Sequence, residues 1–265
     1  MANFEFKKKF GQNFLSDETL LTDIVEHAGV TSDDIVVEIG AGKGALTEVL
    51  SKYAKKVYSF EIDKDLFGYL ETKFEGTNVE FVFEDVMNFS DEKLNQMIGG
   101  EFKLVANLPY YVTSPIITRF VKNKNLKSLT VMVQEEVADR IIAKPKTKSY
   151  GVLTIICQLF GNPEKVIRVD RKMFTPAPNV DSAVVKIDKF ENYNITNYDK
   201  FIRFIKKAFS MRRKKLSTNL ETHSLYKNEI EKILVQNNFS DMVRAEELTI
   251  ENFIKLYEMF YDKIN

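Results

Sequence analysis

Glu38-Ile-Gly-Ala-Gly-Lys-Gly44 carries the apolar run Ile35–Ile39 straight into the helix-like spacing of Ala45–Ala54. A strand that turns at once into a helix, with a ligand pressed against its backbone, needs residues without a Cβ. Three of the chain's 11 glycines stand here, at alternate positions. Downstream, β-branched and aromatic runs recur at Val57–Ile62, Val79–Phe83, Phe102–Ala106 and Leu129–Val133. Between them Leu66–Phe74, Glu92–Ile98 and Pro115–Val121 show apolar residues at helical spacing. This alternation predicts βαβ units and a parallel, doubly wound α/β sheet. Ahead of it, Leu20, Leu21, Ile24, Val25 and Ala28 form the stripe of a helix, with Ser16 or Asp17 as its cap. Behind it, Lys165–Val169 and Ala183–Ile187 read as an antiparallel edge pair joined by the Pro-stiffened stretch 173–180.

Past the polar link 191–199 the chain changes character, with no glycine after Gly161 and no proline after Pro178. Phe201, Ile202, Ile205, Ala208 and Phe209 are spaced as a helix, as are Ile230, Ile233 and Leu234, and Ile250, Phe253, Ile254 and Tyr257. The division expected is therefore residues 1–194 as the α/β domain and 195–265 as a small all-helical domain. The formal net charge is +0, but residues 200–220 hold eight bases and no acid. Such a stretch suits RNA phosphates, whatever the average charge.

The lone Cys157 excludes an internal disulfide and fits a reducing, cytoplasmic setting. The lysines at 7–9 have no apolar run behind them, which is not the pattern of a secretory signal. The most apolar stretch, Val152–Phe160, carries Thr154 and Gln158 and is too short to span a bilayer. His27 and His223 stand alone in helical contexts, so no metal site is expected.

The second and third strands end in acids. Phe60-Glu61-Ile62-Asp63 follows the glycine turn by about twenty residues, where an acid can accept hydrogen bonds from ribose hydroxyls. Phe83-Glu84-Asp85-Val86 offers Asp85 to an adenine amine. The turn alone would also suit a dinucleotide, but Gly-x-Gly-x-Gly departs from the Gly-x-Gly-x-x-Gly pattern of that class. Glycine turn, ribose acid and adenine acid at successive strand ends point to an adenosine without a pyrophosphate, namely S-adenosylmethionine. The fold expected is thus a Rossmann-like S-adenosylmethionine-dependent methyltransferase sheet.

The fourth strand runs into Asn107-Leu108-Pro109-Tyr110. An amine conjugated to an aromatic ring is a poor nucleophile, because its lone pair is delocalised. The Asn107 side-chain carbonyl and the Leu108 backbone carbonyl together can accept its two N–H groups and favour a pyramidal nitrogen. Pro109 fixes the turn that aims the Leu108 carbonyl, and Tyr110 stacks on the base. Catalysis of this kind is positioning and electrostatics around an in-line displacement. A base in structured RNA must leave its stack to enter such a pocket, and Phe174 is the aromatic expected to complete the sandwich.

These motifs, with Phe10-Gly-Gln-Asn-Phe-Leu15, Gln134-Glu-Glu-Val-Ala138, Ser149-Tyr-Gly151, Phe174-Thr-Pro-Ala-Pro-Asn-Val-Asp-Ser-Ala183 and Arg212-Arg-Lys-Lys-Leu216, resemble the ribosomal RNA small-subunit adenine dimethyltransferases of the kasugamycin-resistance type. The resemblance covers nearly the whole chain. It implies dimethylation of the N6 amines of two adjacent adenines in a hairpin loop near the 3′ end of small-subunit (16S) RNA. It implies a pre-30S particle as substrate. It also adds Asn13 and Leu15 to Gly40, Glu61, Asp85 and Asn107 as cofactor contacts. The position after the tetrad, often Asn in that family, is Tyr111 here. A monomer is expected, since no long exposed apolar face is legible. The rival readings are a large-subunit adenine methylase conferring macrolide resistance and a non-catalytic RNA-binding assembly factor. Pro115, Ser149-Tyr-Gly151, Val180-Asp-Ser-Ala183 and the Arg212 cluster favour the small-subunit type, and the intact tetrad favours an enzyme.

Overall fold

Short apolar strands and amphipathic helices alternate as expected, and a computed structural model describes residues 14–190, 193–222 and 225–261. The two-residue β1 (Phe14–Leu15) leads into α1 (Glu18–His27), capped by the Asp17 carboxylate, which accepts from Leu20 N at 2.9 Å. Then come β2 (Ile35–Ile39), α2 (Ala45–Tyr53), β3 (Lys56–Phe60), α3 (Phe67–Lys73), β4 (Val79–Val82) and α4 (Asp91–Ile98). Next are β5 (Phe102–Asn107), α5 (Thr113–Phe120), β6 (Leu126–Gln134), α6 (Glu135–Ile141) and α7 (Val152–Phe160). The strands β7 (Gly161–Val169), β8 (Phe174–Thr175) and β9 (Ser182–Lys189) follow. The last helices are α8 (Tyr198–Ala208), α9 (Leu216–Leu220), α10 (Lys227–Gln236) and α11 (Ile250–Phe260).

The main sheet has the order β4-β3-β2-β5-β6-β9-β7. Its first five strands are mutually parallel, while β9 runs antiparallel to both β6 and β7. Val36 and Val37 of β2 are both wholly buried, as a central parallel strand covered on two faces requires. The antiparallel β7–β9 pair is the one expected, with only β7 on the edge. β7 begins four residues earlier than the sequence pattern suggested (Gly161 against Lys165), because Pro163 masks its start. Proline is tolerated there because the strand lies at the sheet edge. Likewise β6 extends from Leu126 to Gln134, since the buried Ser128 and Thr130 interrupt its apolar run.

The chain divides into two compact units, one made of the described residues up to Ala138 with Phe160–Phe190, the other of Asp139–Leu159 with Glu191–Asn265. The division expected at 194/195 is corrected accordingly, because residues 139–159 belong with the helical unit. The reasons are local. Tyr150 is buried and donates its hydroxyl to Leu248 O at 2.9 Å, and its ring lies 6.2 Å from Phe209. Lys146 N donates to Glu246 O at 2.7 Å. Arg212 reaches Thr147 O at 3.0 Å while paired with Glu246 at 2.8 Å. In α8, Phe201, Ile202, Phe204, Ile205 and Ala208 are buried, leaving Lys200, Arg203 and Lys206 on the opposite side.

Candidate active site

Strand order reverses between β2 and β5, since β3 and β4 lie to one side of β2 and β6 to the other side of β5. In open α/β sheets the crevice beyond the carboxyl ends of the strands at such a switch point is where ligands bind. A cavity of about 260 Å³ opens there. Its walls come from residues 38–46 after β2, 60–62 after β3, 84–87 after β4 and 107–112 after β5, with Leu15, Ser16, Leu21 and Ile116.

Gly40 adopts φ +83°, a region that costs any residue with a Cβ. A Cβ there would meet Pro109 Cδ at 3.6 Å and Asn107 O at 3.7 Å, so the glycine turn and the tetrad face one another closely. Gly44, the helix cap at φ +76°, is tighter still, because a Cβ would fall 2.7 Å from the Phe74 ring. Glu61 fastens the turn from the neighbouring strand. Its Oε2 accepts from Gly42 N at 2.8 Å, and its Oε1 accepts from Ile62 N and Asp63 N, both at 2.8 Å. A carboxylate offers about four acceptor positions, so one remains on Oε2 for a ligand hydroxyl.

Asp85 is exposed at the rim, and its Oδ1 accepts from Met87 N at 2.9 Å, which leaves Oδ2 to a ligand donor. Arg119 of α5 holds this loop by donating to Val86 O and Phe89 O, with Asp91 at 3.6 Å. Glu38 lies on the cavity floor, 1% exposed, and accepts from Thr47 Oγ1 and Ser59 Oγ, each at 2.6 Å. Burial pushes its carboxyl up to about 7, the two hydroxyls pull it back, and the Glu61 charge pushes it further up.

Asn107 ends β5 half-buried, and its side-chain amide makes no hydrogen bond among the described residues. Leu108 is buried and donates its N–H to Met132 O at 3.2 Å, which extends the ladder by one residue. Pro109, at φ −58°, starts a short 3₁₀ turn, and its carbonyl accepts from Val112 N and Thr113 Oγ1, both at 3.1 Å. The Tyr110 hydroxyl lies 2.7 Å from Ser182 Oγ. Tyr111 is 58% exposed at the rim, where partial burial and the charges of Asp85 and Glu61 raise its phenol.

Of the residues expected at the site, Leu15, Gly40, Glu61, Asp85, Asn107, Leu108, Pro109 and Tyr110 line this one cavity. Asn13 lies outside the described residues. Phe174 is corrected: it is 3% exposed and packs in the apolar cluster with Leu15, Leu20 and Val184, not on the cavity wall. The cause is the pairing of β8 with β1, Leu15 opposite Phe174, which turns the ring inward. Sequence reasoning missed Glu38, Arg119 and Ser182. An acid inside the otherwise apolar run Ile35–Ile39 was a legible signal for Glu38, because buried carboxylates require partners. Nothing in the local pattern marked the other two.

The cavity fits S-adenosylmethionine on its own chemistry. It supplies one locked carboxylate, a free acid oxygen at the rim, apolar walls from Ile62 and Val86, and an unpaired amide where the transferred group would emerge.

Residues 3–262 match the family model described as ribosomal RNA adenine dimethylase. A Clostridium acetobutylicum protein named ribosomal RNA small subunit methyltransferase A is 42% identical over 265 residues, covering 98% of this chain and 95% of its own. Its namesake in Clostridium botulinum strain Kyoto is 40% identical over 263 residues, with coverage of 98% and 95%. A solved dimethyladenosine transferase from Plasmodium falciparum superposes with TM-score 0.81 at 28% identity, covering 94% of this chain and 98% of its own. The solved 23S rRNA methyltransferase ErmE gives 0.70 at 26%, covering 93% and 98%. The chain therefore belongs to the ribosomal RNA adenine dimethylase family.

Proposed function

We propose that this enzyme moves methyl groups from S-adenosylmethionine to the N6 amines of two adjacent adenines near the 3′ end of small-subunit ribosomal RNA. The reading carries with it a cytoplasmic monomer acting on a late pre-30S particle. The observation that supports it most is Asn107, an unpaired amide facing Gly40 across a cavity that also holds Glu61 and Asp85. The relatives' names support the small subunit over the large one, as does the higher TM-score of the dimethyladenosine transferase.

The cofactor supplies a methyl group made electrophilic by its sulfonium. Glu61 and Asp85 hold the ribose and adenine ends, and Gly40 lets the backbone approach closely. The side-chain carbonyl of Asn107 and the backbone carbonyl of Leu108 accept the two amine N–H groups, so the nitrogen lone pair is directed at the methyl carbon. The N–C bond forms as the C–S bond breaks, and the displaced N–H proton passes to solvent. A second round on the monomethylated amine gives the dimethyl product. Stacking falls to the Tyr110 ring, which is placed at the cavity, rather than to the buried Phe174.

The test is mass spectrometry of small-subunit RNA after unmethylated subunits meet enzyme and cofactor. Dimethyladenine is expected, and Asn107→Ala should slow its formation by about 10²–10³. No dimethyladenine, or full activity in Asn107→Ala, overturns the proposal. Raised macrolide resistance in a sensitive host would favour the large-subunit rival instead.

A further inference from the structure

Tyr110 opens the 3₁₀ turn after β5 and borders the cavity. The far end of its ring, the hydroxyl, meets Ser182 Oγ at 2.7 Å. Ser182 is the first residue of β9 and is wholly buried. It is paired on both flanks, opposite Gln134 of β6 and Val169 of β7. The residue before it is fastened three times over. Asp181 Oδ1 accepts from Arg171 N at 3.1 Å, Oδ2 from Arg168 at 3.2 Å, and its carbonyl from Glu135 N at 3.0 Å. Ser182 is thus a fixed point that does not follow a moving tyrosine.

A tyrosine tethered only through its backbone samples several ring orientations. One held at the turn and again at the hydroxyl has its plane set in advance, so the ordering cost is met before substrate arrives. Burial raises the Tyr110 phenol, which stays protonated and keeps the contact neutral. We infer that Ser182 is a positioning residue whose hydroxyl, anchored in β9, fixes the plane of the Tyr110 ring as the stacking surface for the target base. This rests on the stacking role proposed above for Tyr110. It also accounts for the Val180-Asp-Ser-Ala183 stretch, in which Asp181 locks the strand start and Ser182 holds the ring.

The test is a double-mutant cycle followed by kcat and by cofactor affinity. Ser182→Ala is expected to lower kcat about tenfold. S-adenosylmethionine should bind as before, because the residues after β2, β3 and β4 are untouched. Tyr110→Phe should cause the same fall, and the double variant no further loss, since both remove one contact. Additive losses, a full rate in Ser182→Ala, or cofactor affinity falling in step with kcat each overturn the inference. If Ser182→Ala fails to fold, Tyr110→Phe alone decides, because it deletes one oxygen and keeps the ring. A tenfold fall then supports the anchor and an undiminished kcat overturns it. If the unsubstituted chain transfers no methyl group at all, the proposed function falls instead. The anchor is then read from the fluorine spectrum of 3-fluorotyrosine at position 110, where ring-flip averaging should begin only on Ser182→Ala. Identical spectra overturn it.

Discussion

Glu38 shows how a single buried group ties the cavity to pH. Its carboxyl is pushed up to about 7 from an ordinary value of 4.5, first by burial, with Ser59 and Thr47 opposing and Glu61 reinforcing. Between those values the folded chain holds a proton that the unfolded chain has released. Glu38 therefore favours folding at low pH, and that contribution is lost as pH rises through 7. Glu38→Gln stays neutral throughout and keeps an acceptor for the two hydroxyls. In thermal unfolding, its Tm relative to the parent should climb between about pH 5 and about pH 8. A difference that stays flat would mean that the acid is already ionised at the lower pH. The same residue illustrates what the sequence could and could not yield. Gly40, Glu61, Asp85 and Asn107 were legible because each stands at a strand end, where periodicity stops and chemistry begins. Glu38 sits inside a strand, and its role depends on Thr47 and Ser59, 9 and 21 residues away.

At the scale of elements, the basic stretch 200–220 resolves into parts with different duties. Lys200, Arg203 and Lys206 occupy the outer side of α8, while Arg213 and Lys214 are exposed in the turn before α9. Arg212 is otherwise engaged, bound to Glu246 and to Thr147 O, so its loss would loosen the loop it clamps. Replacing Arg213 and Lys214 together with Ala should weaken RNA binding and flatten the slope of log affinity against log salt by roughly 1.5. An unchanged slope in a filter-binding series would remove these two residues from the interface. Long amphipathic elements such as α1, α2 and α8 were legible because each carries a full apolar stripe in its own sequence. The β1–β8 pair was not, because two residues carry no periodicity. Missing it misplaced Phe174, whose orientation is set by Leu15 across that pair.

The whole molecule departs from its sequence pattern in one respect: the helical unit is discontinuous. A polar link near residue 195 looks like a boundary, but Tyr150, Ile155 and Ile156 are buried residues contributed from before it. The fragment 195–265 alone should accordingly show no cooperative thermal transition by circular dichroism. A sharp transition would mean that residues 139–159 are dispensable to that unit.

The sheet has a parallel history in time. β9 is its last strand to be synthesised, yet it lies inside, between β6 and β7. Until residue 189 has left the ribosome, β6 remains an open edge and β7 has no partner. The glycine turn, Glu61, Asp85 and Asn107 all lie far earlier in the chain. The cofactor half of the pocket can therefore assemble on a nascent chain that lacks the strand bearing Ser182. Competence to bind cofactor and competence to hold a base then arise in that order, and a chain cut short between them is a binder without a reaction.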